Sequence, residues 1–179
     1  MANRAGRTTA TTLLIPLRRG WVVWCRVLFA AARRFAVITA PLRRQSFIHM
    51  AHWSLVDDFG GRPLGHTCLY FESNFDDSLD AYIDVFLKAV PWRMRMQWAG
   101  AVDYPGLYPS SAYRDWSGDH ANEVQHYFSR YSNASTSEVA AALAVTDRLD
   151  RFERRAASLD DESFRTGYRS LLTEVSRWL

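Results

Sequence analysis

A chain of 179 residues with 48% hydrophobic and 14% aromatic content fits one domain with a substantial core, and no apolar run reaches the roughly 20 residues needed to span a bilayer, so no transmembrane segment is expected. The net charge of +3 hides an asymmetry: residues 1–45 hold nine arginines and no acidic residue, leaving 13 basic and 19 acidic side chains in the rest. An arginine-rich arm can touch nucleic acid or anionic lipid, but here apolar residues interrupt the arginines, which favours a solvated helix face or docking on the acidic remainder, and no nucleic-acid partner is expected.

Residues 1–7 read as a flexible tail. Residues 8–17 (TTATTLLIPL) are rich in β-branched side chains and read as a first strand. An amphipathic helix follows over 21–35, with Trp21, Cys25, Leu28 and Ala32 at steps of four, three and four and Arg26 and Arg33 on another face. Its WVVWCRVLFAAA run faintly resembles a secretion signal, yet it sits late, carries Arg26 and lacks a convincing cleavage site. A cytoplasmic location follows as an expectation, with Cys25 and Cys68 as reduced thiols; one disulfide is the other option.

Residues 47–57 (FIHMAHWSLVD) alternate in two largely apolar sets, so a strand covered on both faces is expected. Residues 67–75 (TCLYFESNF) read as its hairpin partner. The intervening 58–66, holding Gly60, Gly61, Pro63 and Gly65, reads as a loop long enough to act as a lid. Ser78 caps the next helix, which Asp76 and Asp77 favour by their charge; Leu79, Tyr82, Ile83, Phe86, Leu87 and Val90 form its apolar stripe, and Pro91 stops it. Met94, Met96, Trp98, Gly100 and Val102 alternate with more polar neighbours and predict another strand.

The order is then β-α-β-β-α-β. This predicts an α+β fold, a ferredoxin-like antiparallel sheet over residues 8–102 with helices on one face. Three further helices form a C-terminal extension over 103–179, packed on the same core. The first is expected over 119–131. The second follows an S-x-x-E capping box at Ser135 and Glu138. The third is opened by Asp160, with Phe164, Tyr168, Leu171, Val175 and Trp178 inward.

ATTLLIPLRRG, FIHMAHW, LYFESNFDDSLDAYIDVF and YFSRYSNASTSEVAAALAVTDRLDRF together resemble a largely uncharacterised group of bacterial proteins. Their pattern is an I-x-P-[IL] strand, an H-F-A-R strand, an F-x-S-N-[FY]-D-G segment and a helical tail. The group's ferredoxin-like halves are similar to the dimeric α/β-barrel superfamily, which includes antibiotic-biosynthesis monooxygenases, muconolactone-isomerase-like enzymes and dye-decolorising peroxidases. The resemblance implies a homodimer with sheets paired around pockets, a hydrophobic aromatic or polyketide-like substrate, and a role in secondary metabolism. It matches His49 to the family histidine and Ser73, Asn74, Phe75 and Asp76 to the S-N-F-D segment. His52 replaces the family arginine and Asp77 the family glycine. The Ser-His-Cys motif expected before Tyr104 and Pro105 is replaced by WAGAVD, and the peroxidase GxxDG motif is absent.

His49 is a candidate acid–base group in an apolar pocket, or else a hydrogen-bonded histidine of the sheet. Glu72, placed among Tyr70 and Trp98, is a candidate proton acceptor from a phenol or activated carbonyl, or else an edge carboxylate paired with arginine. His52, Tyr70, Asn74, Trp98 and Tyr104 are the expected substrate-binding positions, although Asn74 and Asp76 also suit a strand-to-helix turn. His49 and His52, three apart on a strand, are expected on opposite faces. His120, Glu123 and His126 are spaced too widely around a helix for one metal ion, and no metal is expected.

The readings that follow are metal-free proton transfer or oxygenation, a ligand-binding or partner-binding accessory protein, and a haem protein with His49 as axial ligand. No tightly bound cofactor is expected in the first two.

Overall fold

The β-branched run at the start of the chain forms a strand at the heart of an antiparallel sheet. The computed structural model describes residues 4–43, 45–124 and 126–177. The fold is α+β, and the chain divides into two units, Met1–Asn133 and Ala134–Leu179. The boundary expected at 102 therefore falls inside the first unit.

In the first unit the order is β1 (Arg4–Ala5), β2 (Thr8–Pro16), α1 (Arg19–Arg34), α2 (Ala36–Arg43), β3 (Ile48–Phe59), β4 (Arg62–Asp76), α3 (Leu79–Ala89), α4 (Pro91–Trp98) and α5 (Ser110–Asp119). The sheet order is β1-β2-β4-β3, antiparallel at every pairing. β2, α1, α2 and β3 make a crossover with β4 inserted between its two strands, the split β-α-β arrangement. Of the stretch read as a tail, Arg4 and Ala5 pair with Thr9 and Thr8, and residues 1–3 lie outside the described residues.

The loop expected over 58–66 is mostly strand. β3 and β4 run into it and are joined by Gly60 and Gly61, whose φ angles of 61° and 80° suit a two-residue hairpin turn. A short turn replaces the lid.

The strand expected over 94–102 is α4 followed by a turn. Pro91 ends α3 and also opens α4, where its missing N–H costs nothing. Met94 and Trp98, four apart, are buried at 8% and 3% exposure, so the pair that suggested alternation packs as one helical face. Of this stretch Ala101 bridges Leu17, the residue after β2, and Val102 donates its N–H to the Pro16 carbonyl at 3.0 Å. The outer edge of β2 is thus filled piecewise, by β1, by residues 101–102, and by Ala121 opposite Leu13. That satisfies the edge groups a fourth long strand would have paired.

Two other helices also differ from expectation. Residues 110–119, read as loop, form α5 and bury Tyr113, Trp116 and Ser117. Residues 121–131, read as helix, carry no helix among the described residues.

The core lies on one side of the sheet. Leu13, Ile15, Leu69, Phe71 and Phe75 meet Tyr82, Ile83, Phe86 and Leu87 of α3 and Met94 and Trp98 of α4. Phe75 stacks on Tyr82 at 3.9 Å between ring centroids. Ser73, fully buried, accepts from the Tyr82 hydroxyl and donates to the Met50 carbonyl, each at 2.9 Å, so this polar group is satisfied inside the core. Gly100 faces Trp21 so closely that a Cβ there would fall 1.7 Å from the indole ring.

The second unit is α6 (Thr136–Ala156) and α7 (Asp161–Val175). Its capping box at Ser135 and Glu138 and its Asp160 cap are as the sequence predicts. Phe152, Leu171 and Val175 form its buried centre, while Trp178 lies outside the described residues.

Candidate acid–base site on the open sheet face

Strand alternation places the candidate site. Phe71, Ser73 and Phe75 of β4 point into the helix-side core, so Tyr70, Glu72, Asn74 and Asp76 point to the other face. Across the ladder, Glu72 sits opposite His52 and Thr12, Asn74 opposite Met50 and Ala10, and Tyr70 opposite Ser54 and Leu14. Leu14 and Met50 are each 41% exposed, so among the described residues no helix of the first unit covers this face over its middle.

β3 carries a bulge. Ile48 pairs with Phe75 and Met50 with Asn74, leaving His49 as the extra residue. A bulge re-aims one side chain and shifts the parity of those beyond it. His49 Nε2 consequently lies 2.7 Å from Asp76 Oδ1, with the two side chains 21% and 17% exposed. Beyond the bulge, His52 falls on the same face as Glu72. The expectation that His49 and His52 point to opposite sides is corrected for this reason.

A second pair stands next to the first. The Tyr70 hydroxyl donates to Glu72 Oε2 at 2.9 Å, and the His52 ring meets Tyr70 edge-on at 5.7 Å. Burial, then the hydrogen bond to Glu72 and its charge, raise the Tyr70 pKa, so the phenol holds its proton and acts as donor. Between the pairs, the Asn74 side-chain oxygen is buried without a hydrogen-bond partner among the described residues. It is an acceptor left open on a face of proton-exchanging groups.

Five of the seven expected site residues thus share one face: His49, His52, Tyr70, Glu72 and Asn74. Trp98 and Tyr104 do not. Trp98 packs edge-on against Phe71 and Trp116, on the helix side. Tyr104 packs on Tyr113 and Trp116, and its pKa is pushed to about 12 by burial, with Arg95 pulling the other way. The sheet separates both from Glu72. The helix-side space between Trp53, Phe71, Trp98 and Tyr113 is a cavity of about 30 Å³, which holds on the order of one water molecule and no organic substrate.

Two residues of the face were not expected there. Asp76, read as a turn former, is the partner of His49, while the turn itself is capped by Ser78, which accepts from Ala81 N–H at 3.2 Å. Tyr127 arrives because Asn122 N–H donates to the Thr12 carbonyl and Arg7 N–H to the Ser132 carbonyl, returning the chain along β2. Its pKa is raised by burial, with a smaller contribution from the charge of Glu72. The S-N-F-D segment signalled Asp76; nothing local to Tyr127 signalled its place, which depends on pairing more than 100 residues apart in sequence.

No group of three metal-binding side chains occurs among the described residues. His120 instead caps α5, with Nδ1 at 2.8 Å from the Trp116 carbonyl. His49 Nε2 is hydrogen-bonded to Asp76, which leaves Nδ1 as its other ring nitrogen. Cys25 and Cys68 are separate buried thiols. No helix among the described residues is long and apolar enough to cross a membrane.

Comparison with family models, with curated proteins and with solved structures found no match to the chain.

Proposed function

We propose that this chain is a proton-transfer enzyme acting on a hydrophobic aromatic or polyketide-like molecule at the open face of its sheet. The observation that carries the reading is the His49–Asp76 hydrogen bond of 2.7 Å, formed at a β-bulge and neighboured on the same face by Tyr70 and Glu72. A carboxylate on one imidazole nitrogen fixes the tautomer and orients the ring, leaving the other nitrogen to take a proton. Glu72 is the second acid–base group, with the Tyr70 phenol on its oxygen. Asn74 and His52 orient a bound carbonyl or phenol.

The ferredoxin-like likeness belongs to the same proposal. The β2-β4-β3 core of the sheet supports it, with β1 and residues 101–102 occupying the place of a last strand. A second copy laid on the open face would give a homodimer and exclude water from the site, which strengthens each charge interaction there. Metal-free oxygenation is an analogy from the dimeric α/β-barrel resemblance. A cytoplasmic setting suits the two buried thiols.

The test is solvent-deuterium uptake into a panel of β-dicarbonyl and phenolic compounds, followed by mass spectrometry with wild-type protein and with His49→Gln. Wild-type acceleration that His49→Gln lowers about 10²-fold supports the assignment. Acceleration by neither protein, or equally by both, rejects it. Light scattering at several concentrations tests the pairing of copies.

A further inference from the structure

On the other side of the sheet, α1, α2 and α4 border an apolar groove of about 380 Å³. That volume lies at the lower end of the roughly 300–1,000 Å³ typical of ligand sites. Leu28 and Phe29 of α1, Val37 and Ile38 of α2 and Trp92 and Met96 of α4 form its walls. Val37 and Trp92 stand open at 74% and 55% exposure.

Arg93 is the one charged residue in these walls among the described residues. Its guanidinium carbon lies 4.5 Å from the centre of the Trp92 ring. Its Nε is buried without an acceptor, and no carboxylate pairs with it among the described residues. It also stands in the first turn of α4, which has no acidic residue and no side-chain cap. A cation at the positive end of a helix is in the wrong place unless an anion joins it. Gln97 Nε2 and Trp53 Nε1 are buried donors without acceptors too, on residues that line both this groove and the small cavity beside it. A hydrocarbon ligand would leave the Arg93 guanidinium unmet, whereas a carboxylate brings it acceptors.

We propose that this groove binds an apolar carboxylate, its hydrocarbon part lying between α1, α2 and α4 and its head group on Arg93. The site is independent of the acid–base reading, since it lies across the sheet from His49.

The experiment is calorimetric titration of the full chain with octanoate, octanol and octylammonium, all as monomers. Octanoate should bind about tenfold more tightly than octanol, and octylammonium most weakly. Arg93→Gln should erase the gap between octanoate and octanol. Val37→Glu, at a wall position 74% exposed where folding is not at stake, should weaken octanoate more than octanol and so reduce the gap between them. Circular dichroism checks the fold of each variant, and Val37→Glu decides alone if Arg93→Gln does not fold. Equal affinity for the three compounds, no binding of any, or an undiminished octanoate preference in the folded variants overturns the proposal. So does adsorption to phosphatidylglycerol vesicles without octanoate binding, which would assign the arginine-rich helices to a lipid surface instead.

Discussion

His49 Nε2 and Asp76 Oδ1 stand 2.7 Å apart because β3 has one residue more than its partner at that point. In an unbroken ladder His52 would point into the helix-side core. The bulge turns it to the open face, where β4 presents Glu72 and Asp76 and where His49 meets Asp76. One extra residue therefore sets the composition of the candidate site.

Glu72 and Tyr70 separate a chemical role from a structural one. Glu72→Gln keeps a hydrogen-bond acceptor for Tyr70 but loses the charge, so it should lower deuterium uptake about 10²-fold while shifting stability by less than about 1 kcal/mol. Tyr70→Phe should lower uptake less, by under about tenfold, because it leaves the carboxylate in place. Equal small losses of stability with unchanged uptake in both would make the pair purely structural. Urea denaturation and the exchange assay on the same preparations distinguish these outcomes.

Cys25 makes stability sensitive to alkali. Burial pushes its thiol up to about 11 from an ordinary 9.0. The folded state then holds the proton that the unfolded state gives up, so stability is complete below about pH 9 and falls as pH rises through 11. The loss is at most about 2–3 kcal/mol, from two pH units at about 1.4 kcal/mol each. Denaturation midpoints measured from pH 8 to 11 should fall, and Cys25→Ala should flatten the decline. An identical slope in the variant would show that the thiol is not responsible. Tyr104, pushed to about 12, adds a further fall at higher pH.

Gly100 fixes α1 to the end of the sheet. A methyl group at this position would meet the Trp21 ring at 1.7 Å, and the Gly100 carbonyl accepts from Arg18 N–H at 2.9 Å at the entry to α1. Gly100→Ala should cost about 1–3 kcal/mol, the range for forced overpacking, with indole signals of Trp21 shifted in nuclear magnetic resonance spectra. Gly118, where an added Cβ meets nothing within 4 Å, is the control and should tolerate Ala.

Sequence legibility followed the range of the interactions. Ser78, the 79–90 stripe and the Ser135 capping box are local signals, and α3 and α6 begin where they say. The two long strands were legible from β-branched and aromatic alternation. α4 was not, because Met94 and Trp98 satisfy both a period of two and a step of four. Pro91 signals the stop of α3 and equally the start of α4. The bulge at His49 was hidden, since alternation alone assumes an unbroken ladder, and so the partnership with Asp76 and the face of His52 were hidden with it. Trp98 looked like a neighbour of Glu72 only while residues 94–102 were read as a strand; as helix, they carry it to the opposite side of the sheet.

The acid–base assignment stands most directly on His49 holding and releasing a substrate proton. Deuterium uptake from solvent into β-dicarbonyl and phenolic compounds, compared between wild-type protein and His49→Gln, measures that step. A wild-type acceleration reduced about 10²-fold by the substitution, in a variant whose circular dichroism is unchanged, is the predicted result. Uptake at the same rate with both proteins would contradict it.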